Sequence, residues 1–468
     1  MLEFKDFGLD YEDVDKKSYK ILENVNINFE KGSVNVITGE SGSGKSSIIK
    51  AINGIIPEID KAKLSGKIEL DGKNLVDMTI ADRSKFISTV FQNPKNQFYA
   101  VNSLDEIAFA LENRNIERDE IFQTIDKYST ILGTEKLLDK DLLKLSGGQK
   151  QLVAITSVAV LDNDIYVFDE PSASLDKKAI EKLANVIKIL KYMGKIIIIA
   201  EHRLYYLKNI LDKLCIIKEN NLIEYDKEEV NNDLIKTYNL RRLDEIGINE
   251  IKNEKWTRKS LDDKSYDHNH ALKCINFYCK YKNSKRVLFD FNISFDPGIY
   301  FIIGKNGIGK TSFIRNLCKL NKRQKSLVYY KDQKIKSSGD YISLVMQDVN
   351  YQLFTESVYK EISIVTEDEK IKDESLSKLG LIDKKNIHPQ SLSGGQKQRL
   401  ALALAYASPK KIVILDEPTS GLCMTNMQKT IEIIRDMKNM GKIVIIVTHD
   451  YEFIKMVNEN VVEFLNGS

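Results

Sequence analysis

Two short glycine-rich segments of this chain have the residue types and the spacing that bind phosphate. Residues 39–46 (GESGSGKS) and 304–311 (GKNGIGKT) both fit G-x-x-x-x-G-K-[ST], between a strand-like and a helix-like run. Glycines let backbone N–H groups turn towards phosphate oxygens, the lysine neutralises the β- and γ-phosphates, and the following Ser or Thr binds Mg²⁺. The predicted nucleotide-binding residues here are Gly39, Glu40, Ser41, Gly42, Ser43, Gly44, Lys45, Ser46 and Ser47, and Gly304, Lys305, Asn306, Gly307, Ile308, Gly309, Lys310, Thr311 and Ser312.

Two strongly apolar segments, IYVFDE and IVILDE, each end in a pair of adjacent acids. Burying a charge is costly, so a buried strand is expected to carry two carboxylates only where they are used. Asp169 and Asp416 are expected to hold Mg²⁺ through water. Glu170 and Glu417 are expected to orient or deprotonate the attacking water as general bases. In the alternative, the acids only cap the next turn.

The segment LSGGQKQ also occurs twice, and each time a serine and two glycines precede a helical pattern. Such a helix start directs backbone N–H groups at an anion. Each half of the chain therefore carries two phosphate-binding segments, which cannot both serve one nucleotide within one domain. The residues concerned are Ser146, Gly147, Gly148 and Gln149, and Ser393, Gly394, Gly395 and Gln396.

These motifs recur in the same order, which indicates a tandem duplication. The two P-loop lysines are 265 positions apart, whereas the glutamates of the acid pairs are 247 apart, so the second copy is shorter between them. The polar segment between the copies has weak periodicity, as a linker does. We expect a first domain over residues 1–235, a linker over 236–268 and a second domain over 269–468.

Composition and charge exclude several classes of protein. The 468 residues are 42% hydrophobic and 29% charged, and the net charge of +3 is too small to argue for a nucleic-acid partner. A secretory signal begins with basic residues followed by an apolar run, whereas the first residues of this chain are acidic, so no secretory signal is predicted. Apolar runs last only a few residues, far short of the roughly 20 that span a bilayer. We expect a chain that stays inside the cell and uses a partner for any membrane role.

Together the motifs resemble the nucleotide-binding domains of ATP-binding cassette (ABC) proteins. The resemblance implies an α/β fold of two tandem P-loop domains, each a RecA-like core with an antiparallel β subdomain and a helical signature subdomain. It implies a head-to-tail pseudo-dimer within the chain, in which LSGGQ of one domain closes over ATP held by the other. ATP and Mg²⁺ are the implied cofactors.

The resemblance also assigns roles to residues outside the glycine-rich loops. Tyr11 and Tyr281 stand where the family stacks an aromatic ring on adenine, although either could be an edge-strand tyrosine. His202 and His449 match the switch histidine that contacts the γ-phosphate. A glutamine that joins Mg²⁺ and the attacking water completes the set, and the implied metal ligands are Ser46, Gln92 and Asp169 in the first copy and Thr311, Gln347 and Asp416 in the second.

A second glutamine follows each of these by five residues, at Gln97 and Gln352. This resembles the ATPase subunits of energy-coupling factor (ECF) importers, in which this stretch faces the coupling helices of a membrane subunit. The resemblance implies an ATPase at the cytoplasmic face of the membrane, bound to a transmembrane coupling subunit and a substrate-binding subunit. It would drive uptake of a vitamin-like compound or a metal ion. The alternative is a soluble tandem ABC ATPase that acts on ribosomes.

Overall fold

The computed structural model describes residues 1–12, 18–92, 97–173, 175–265, 269–280, 287–305, 307–320 and 326–466. The chain divides into two compact units. Unit 1 contains Met1–Glu245, and unit 2 contains Ile246–Leu422 and Asn426–Ser468. The sequence-based limits at residues 235 and 269 stay a prediction.

Unit 1 has a central, mostly parallel sheet beside a smaller antiparallel one. Its strands are β1 (Leu2–Glu12), β2 (Ser18–Phe29), β3 (Val34–Gly39), β4 (Ala62–Leu70), β5 (Lys73–Asn74), β6 (Ile87–Val90), β7 (Ile165–Asp169), β8 (Ile196–Ala200), β9 (Lys213–Lys218) and β10 (Asn221–Asp226). The central sheet has the order β10-β9-β3-β8-β7-β6. Every residue of β8 (IIIIA) is buried, as expected for a parallel strand covered on both faces.

The register of the central sheet brings the chemistry-bearing residues of unit 1 to one edge. Ala200 pairs with Ile37 of β3 and with Asp169 of β7, so the carboxyl ends of β3, β7 and β8 lie side by side. Ligands of open parallel sheets bind outside these ends. The smaller sheet has the order β2-β1-β4-β5 and packs a phenylalanine cluster, in which the rings of Phe4 and Phe7 are 5.2 Å apart, edge to face.

The helices of unit 1 cover the central sheet and form a separate helical layer. They are α1 (Lys45–Asn53), α2 (Ile55–Glu58), α3 (Ile80–Arg83), α4 (Ser103–Glu112), α5 (Arg118–Leu132), α6 (Gly147–Ala159), α7 (Lys177–Tyr192) and α8 (Asn232–Thr237). Apolar residues of α4, α5 and α6, such as Ile107, Ile121 and Val153, belong to one buried core with β7 and β8. This core fixes the start of α6, where the LSGGQ segment lies.

Unit 2 repeats this plan with one change at the sheet edge. Its strands are β11 (Trp256–Ser260), β12 (Leu272–Lys280), β13 (Val287–Phe295), β14 (Gly298–Gly304), β15 (Leu327–Tyr330), β16 (Gln333–Lys334), β17 (Ile342–Val345), β18 (Ile412–Asp416), β19 (Ile443–Val447) and β20 (Asn460–Leu465). The sheet orders are β11-β20-β14-β19-β18-β17 and β13-β12-β15-β16. The outermost strand of the central sheet, β11, comes from the segment predicted as linker and pairs with β20 in parallel.

The helices of unit 2 occupy the corresponding places. They are α9 (Lys310–Leu317), α10 (Val358–Ser363), α11 (Glu369–Lys378), α12 (Gly394–Ala407), α13 (Met424–Asn439) and α14 (Tyr451–Val457). Both units have the α/β architecture predicted from the sequence, with parallel and antiparallel sheets in each. Among the described residues, no helix combines the length and the apolar character needed to cross a membrane.

Candidate active sites

The first P-loop connects β3 to α1 at the sheet edge. Gly42 and Gly44 have φ angles of 86° and 108°, in the left-handed region that favours glycine, so the loop can turn its N–H groups inwards. Lys45 Nζ folds back over the loop and donates to the carbonyl oxygens of Gly39 at 3.2 Å and Glu40 at 2.8 Å. Burial lowers the pKa of Lys45, although neighbouring carboxylates raise it. An anionic phosphate would supply the counter-charge that this lysine lacks among the carbonyls.

The acid pair of unit 1 lies against this loop. Ser46 Oγ donates to Asp169 Oδ1 at 3.0 Å, so the two predicted metal ligands are already adjacent. Oxygen ligands suit Mg²⁺, which keeps several waters and phosphate oxygens rather than a full protein cage. No cluster of three His, Cys, Asp or Glu side chains able to hold a metal occurs in the described part of the chain. The Ser46 hydroxyl and the Asp169 carboxylate are adjacent oxygen ligands, so these two residues fit Mg²⁺ bound together with phosphate.

Glu170 is the centre of a small network. Its Oε2 accepts from Gln92 Nε2 at 2.7 Å, and His202 Nε2 is 3.7 Å from Oε1. Burial raises the pKa of Glu170 to about 8, and the charges of Asp169 and Glu201 act in the same direction. Burial also holds the pKa of His202 well below its ordinary value. The backbone of Glu170 has a φ angle of 45°, which is strained for a residue other than glycine and is typical of functional sites.

Unit 2 repeats this geometry. Lys310 Nζ donates to the carbonyl oxygens of Gly304 at 2.8 Å and Lys305 at 3.3 Å, and burial raises the pKa of Asp416 to about 6. Glu417 again has a left-handed φ angle, of 49°. Its carboxylate accepts from the hydroxyl of Thr448 at 2.9 Å, and His449 Nε2 is 4.0 Å from it. The strained glutamate beside a histidine is therefore a feature of both copies.

The two LSGGQ segments start helices with matching caps. In α6, Ser146 Oγ accepts the N–H of Gln149 at 3.3 Å, and Gln149 Oε1 accepts the N–H of Ser146 at 2.9 Å. Ser393 and Gln396 make the same reciprocal pair at the start of α12. The capping boxes fix the helix starts, and the serines remain exposed to solvent. Both segments can thus present N–H groups to a ligand supplied from outside.

The other predicted residues are placed as follows. Tyr11 lies on β1, half-buried, with its hydroxyl 3.5 Å from Ser47 Oγ, so it borders the first P-loop. Gln347 is exposed just after β17. Tyr281 and Asn306 lie outside the described residues. The roles assigned to the whole set stay predictions, while the grouping of P-loop, acid pair and histidine occurs in each unit.

The role of Glu201 and the contacts made by Gln97 and Gln352 were not predicted from the sequence. Glu201, next to His202, is a buried carboxylate that accepts from the backbone N–H groups of three residues. Gln97 and Gln352 turn their amides onto their own units: Gln97 Oε1 accepts the N–H of Phe91 at 3.1 Å, and its Nε2 donates to the carbonyl of Thr89 at 3.2 Å. A comparison of the two copies could have drawn attention to Glu201, because the second copy has an uncharged residue, Thr448, at the corresponding position.

Comparison with known proteins defines the class. Residues 22–173 and 288–420 match the family described as ABC transporter. The chain therefore belongs to the ABC transporter family and is an ATPase with two ATP-binding cassettes, as the P-loops and acid pairs indicate.

The similarity extends to relatives with the same tandem arrangement. A protein of Treponema denticola, named provisionally as an ABC transporter ATP-binding protein, is 36% identical over 464 residues, which cover 95% of this chain and 91% of that protein. A protein of Lactobacillus johnsonii with the same name is 30% identical over 517 residues, covering 100% and 89%. A structure titled as ribosome-bound archaeal Pelota and ABCE1 matches with a TM-score of 0.66 at 21% identity, over 96% of this chain and 74% of that one. At this identity the match concerns the fold alone.

Proposed function

We propose that this chain is the ATP-hydrolysing subunit of an ECF-type importer, which drives uptake of a vitamin-like compound or a metal ion through separate membrane subunits. It would act at the cytoplasmic face of the membrane, with its two cassettes working as a head-to-tail pair. The observation that carries the proposal is a pair of matched loops, one in each unit, that hold large apolar side chains out in solvent.

In unit 1 this loop follows β6. Tyr99 is 80% exposed and stacks on Phe109 of α4, with ring centroids 5.3 Å apart, and Val101 is 73% exposed. Glu106, a buried residue of α4, accepts the backbone N–H groups of Tyr99 at 2.8 Å and Ala100 at 2.9 Å. Tyr99 and Ala100 are therefore held in place by their backbone N–H groups, while most of the surface of Tyr99 and Val101 is exposed to solvent.

In unit 2 the loop after β17 is built in the same way. Gln352 accepts the N–H of Met346 at 2.8 Å and donates to the carbonyl of Leu344 at 2.8 Å. Glu361, which is buried, accepts the N–H groups of Phe354 and Thr355 at 3.2 and 2.9 Å. Phe354 is 74% exposed. The 255-residue offset relates Gln97 to Gln352, Tyr99 to Phe354 and Glu106 to Glu361.

Both loops begin at the glutamines Gln92 and Gln347, which follow the strands next to the acid pairs. In unit 1 the hydrogen bond from Gln92 to Glu170 joins the loop to the proposed general base. A partner bound to the exposed side chains could therefore respond to events at the nucleotide. Large exposed apolar groups on a fixed backbone are typical of protein-binding surfaces, and two matched surfaces fit a partner with two equivalent short segments.

The chemistry follows from the placement of the residues. Lys45 and Lys310 would hold the phosphates, and Mg²⁺ bound by Ser46 or Thr311 and the neighbouring aspartate would neutralise charge that develops on them. Glu170 and Glu417 would orient the attacking water and accept its proton, with the histidines beside them contacting the γ-phosphate.

The test is to identify the proteins that co-purify with the full chain from cells. The expected partners are integral membrane proteins, and they should be lost from a Tyr99→Glu/Phe354→Glu variant that still binds ATP. Tyr192→Glu is the matched control, because Tyr192 is 77% exposed on a different element, at the end of α7. Recovery of ribosomes instead of membrane proteins, or intact assembly of the double variant, would overturn the proposal.

A further inference from the structure

The two switch histidines, His202 and His449, follow corresponding strands, β8 and β19, but they have different neighbours. AEHRLYYL in unit 1 corresponds to VTHDYEFI in unit 2, at an offset of 247. The pairs of interest that differ in charge or hydrogen-bonding groups are Glu201 and Thr448, Arg203 and Asp450, and Tyr206 and Phe453; Leu204 and Tyr451, and Tyr205 and Glu452, differ as well. The buried acid thus lies before the histidine in one copy and after it in the other.

In unit 1 the carboxylate of Glu201 accepts four hydrogen bonds. The residue is 2% exposed, and its Oε1 accepts the backbone N–H groups of His202 at 2.7 Å and Arg203 at 3.0 Å. Its Oε2 accepts the N–H of Ser172 at 3.3 Å and the hydroxyl of Tyr206 at 2.9 Å. Arg203 Nη1 donates to the carbonyl of Ser172 at 3.3 Å. Glu201 and Arg203 therefore tie the switch histidine to the turn that follows Glu170.

In unit 2 other groups make these connections. The N–H of His449 donates to Glu417 Oε2 at 3.3 Å, so the proposed general base itself holds the histidine backbone. The hydroxyl of Thr448 donates to the same oxygen at 2.9 Å. Asp450 Oδ2 accepts from the hydroxyl of Thr419, which corresponds to Ser172, at 2.9 Å. The histidine and the turn are again connected, with the carboxylate two residues further along the chain.

We propose that Glu201 is a positioning residue of the first ATP site. It binds both the backbone of the switch histidine and the turn after Glu170, whereas in unit 2 Glu417 binds the histidine backbone and Asp450 binds the turn. In unit 1, where Glu201 holds the backbone of His202, Glu170 Oε2 accepts from the amide of Gln92. In the second site the corresponding oxygen, Glu417 Oε2, accepts from the switch segment itself, through Thr448 and His449. The inference rests on the site residues proposed above.

Replacing Glu201 alone should misplace His202. Introducing all three corresponding residues of unit 2 together should restore the position of His202. Glu201→Thr leaves the N–H groups of His202, Arg203 and Ser172 without their buried acceptor. In E201T/R203D/Y206F, the introduced aspartate could accept from the Ser172 hydroxyl, and the introduced threonine could donate to Glu170. Asp450 and Thr448 make the corresponding contacts in unit 2.

The variants are compared in the full chain carrying Glu417→Gln, so that the second ATP site does not supply the measured hydrolysis. In this background we expect kcat for ATP hydrolysis to fall about tenfold or more in E201T, as the loss of hydrogen bonds to a buried carboxylate implies. KM for ATP should change less than about threefold, because Lys45 still holds the phosphates. The triple variant should recover most of kcat. Glu30→Thr, at an exposed glutamate in the same unit, is the control for the type of substitution.

The proposal is overturned if E201T keeps kcat within about twofold of the Glu417→Gln chain, or if the triple variant is no more active than E201T. If E201T does not fold, the triple variant alone decides, and a kcat more than about tenfold below that of the Glu417→Gln chain refutes the proposal. Glu170→Gln is measured in parallel. Loss of activity in E170Q with none in E201T refutes only the role of Glu201, whereas unchanged activity in E170Q refutes the site assignment itself.

Discussion

Replacing both proposed general bases is the most direct test of the chemistry. In Glu170→Gln/Glu417→Gln the side chains keep their volume at positions where the backbone is already left-handed, with φ angles of 45° and 49°. The amide oxygen introduced in place of the Glu170 carboxylate can still accept from Gln92, a contact of 2.7 Å in the parent chain. Only the capacity to take a proton from water is removed, so the change is confined to the chemical step.

The expected fall in kcat follows from the proposed role of Glu170 and Glu417 as general bases. A positioned general base contributes about 10²- to 10⁴-fold to a rate, which is about 2.7 to 5.4 kcal/mol at about 1.36 kcal/mol per tenfold. The folded state should tolerate the change, because burial already raises the pKa of Glu170 to about 8, so a neutral side chain suits this site. We expect kcat to fall by at least about a hundredfold with ATP affinity retained.

The assay combines steady-state phosphate release with equilibrium binding of ATP in the presence of Mg²⁺. Glu219→Gln is the matched control, since Glu219 also has a left-handed φ angle, of 50°, but lies in an exposed turn. A double variant that hydrolyses ATP at the parent rate would refute the assignment of Glu170 and Glu417. A double variant that no longer binds ATP would refute the claim that the change is confined to chemistry.

Two further predictions concern stability. Lys442 is 3% exposed, and its Nζ donates to the carbonyl oxygens of Ala405, Tyr406 and Ser408 at the end of α12. Lys442→Met should therefore lower the free energy of unfolding, measured by denaturant titration, by about 1–3 kcal/mol. An unchanged midpoint would contradict this role. Thr257→Pro in β11 should lower the unfolding midpoint of unit 2, because proline cannot donate to the pairing with β20, whereas Thr257→Val should not; equal midpoints would mean that β11 adds no stability.

Much of the site could be predicted from the sequence because its chemistry depends on neighbours along the chain. A P-loop needs its glycines, lysine and hydroxyl within eight residues, and the strand before it and the helix after it are local as well. The acid pairs end apolar runs that can only be buried strands. Duplication strengthened each of these predictions, because Lys45 and Lys310 or Glu170 and Glu417 recur in the same context.

The tertiary structure decided whatever depends on contacts between distant segments. The segment predicted as linker supplies β11, which pairs with the free edge of β20. This pairing joins two distant parts of the chain, so no local sequence pattern describes it. The stretches that contain Gln97 and Gln352 are predicted to face a partner, and only the structure shows that within them the two glutamine amides pair with the backbone at the ends of β6 and β17. The contact of Glu201 with the backbone N–H of Ser172, 29 residues earlier, was equally hidden, because packing rather than sequence spacing decides which distant donors reach a buried carboxylate.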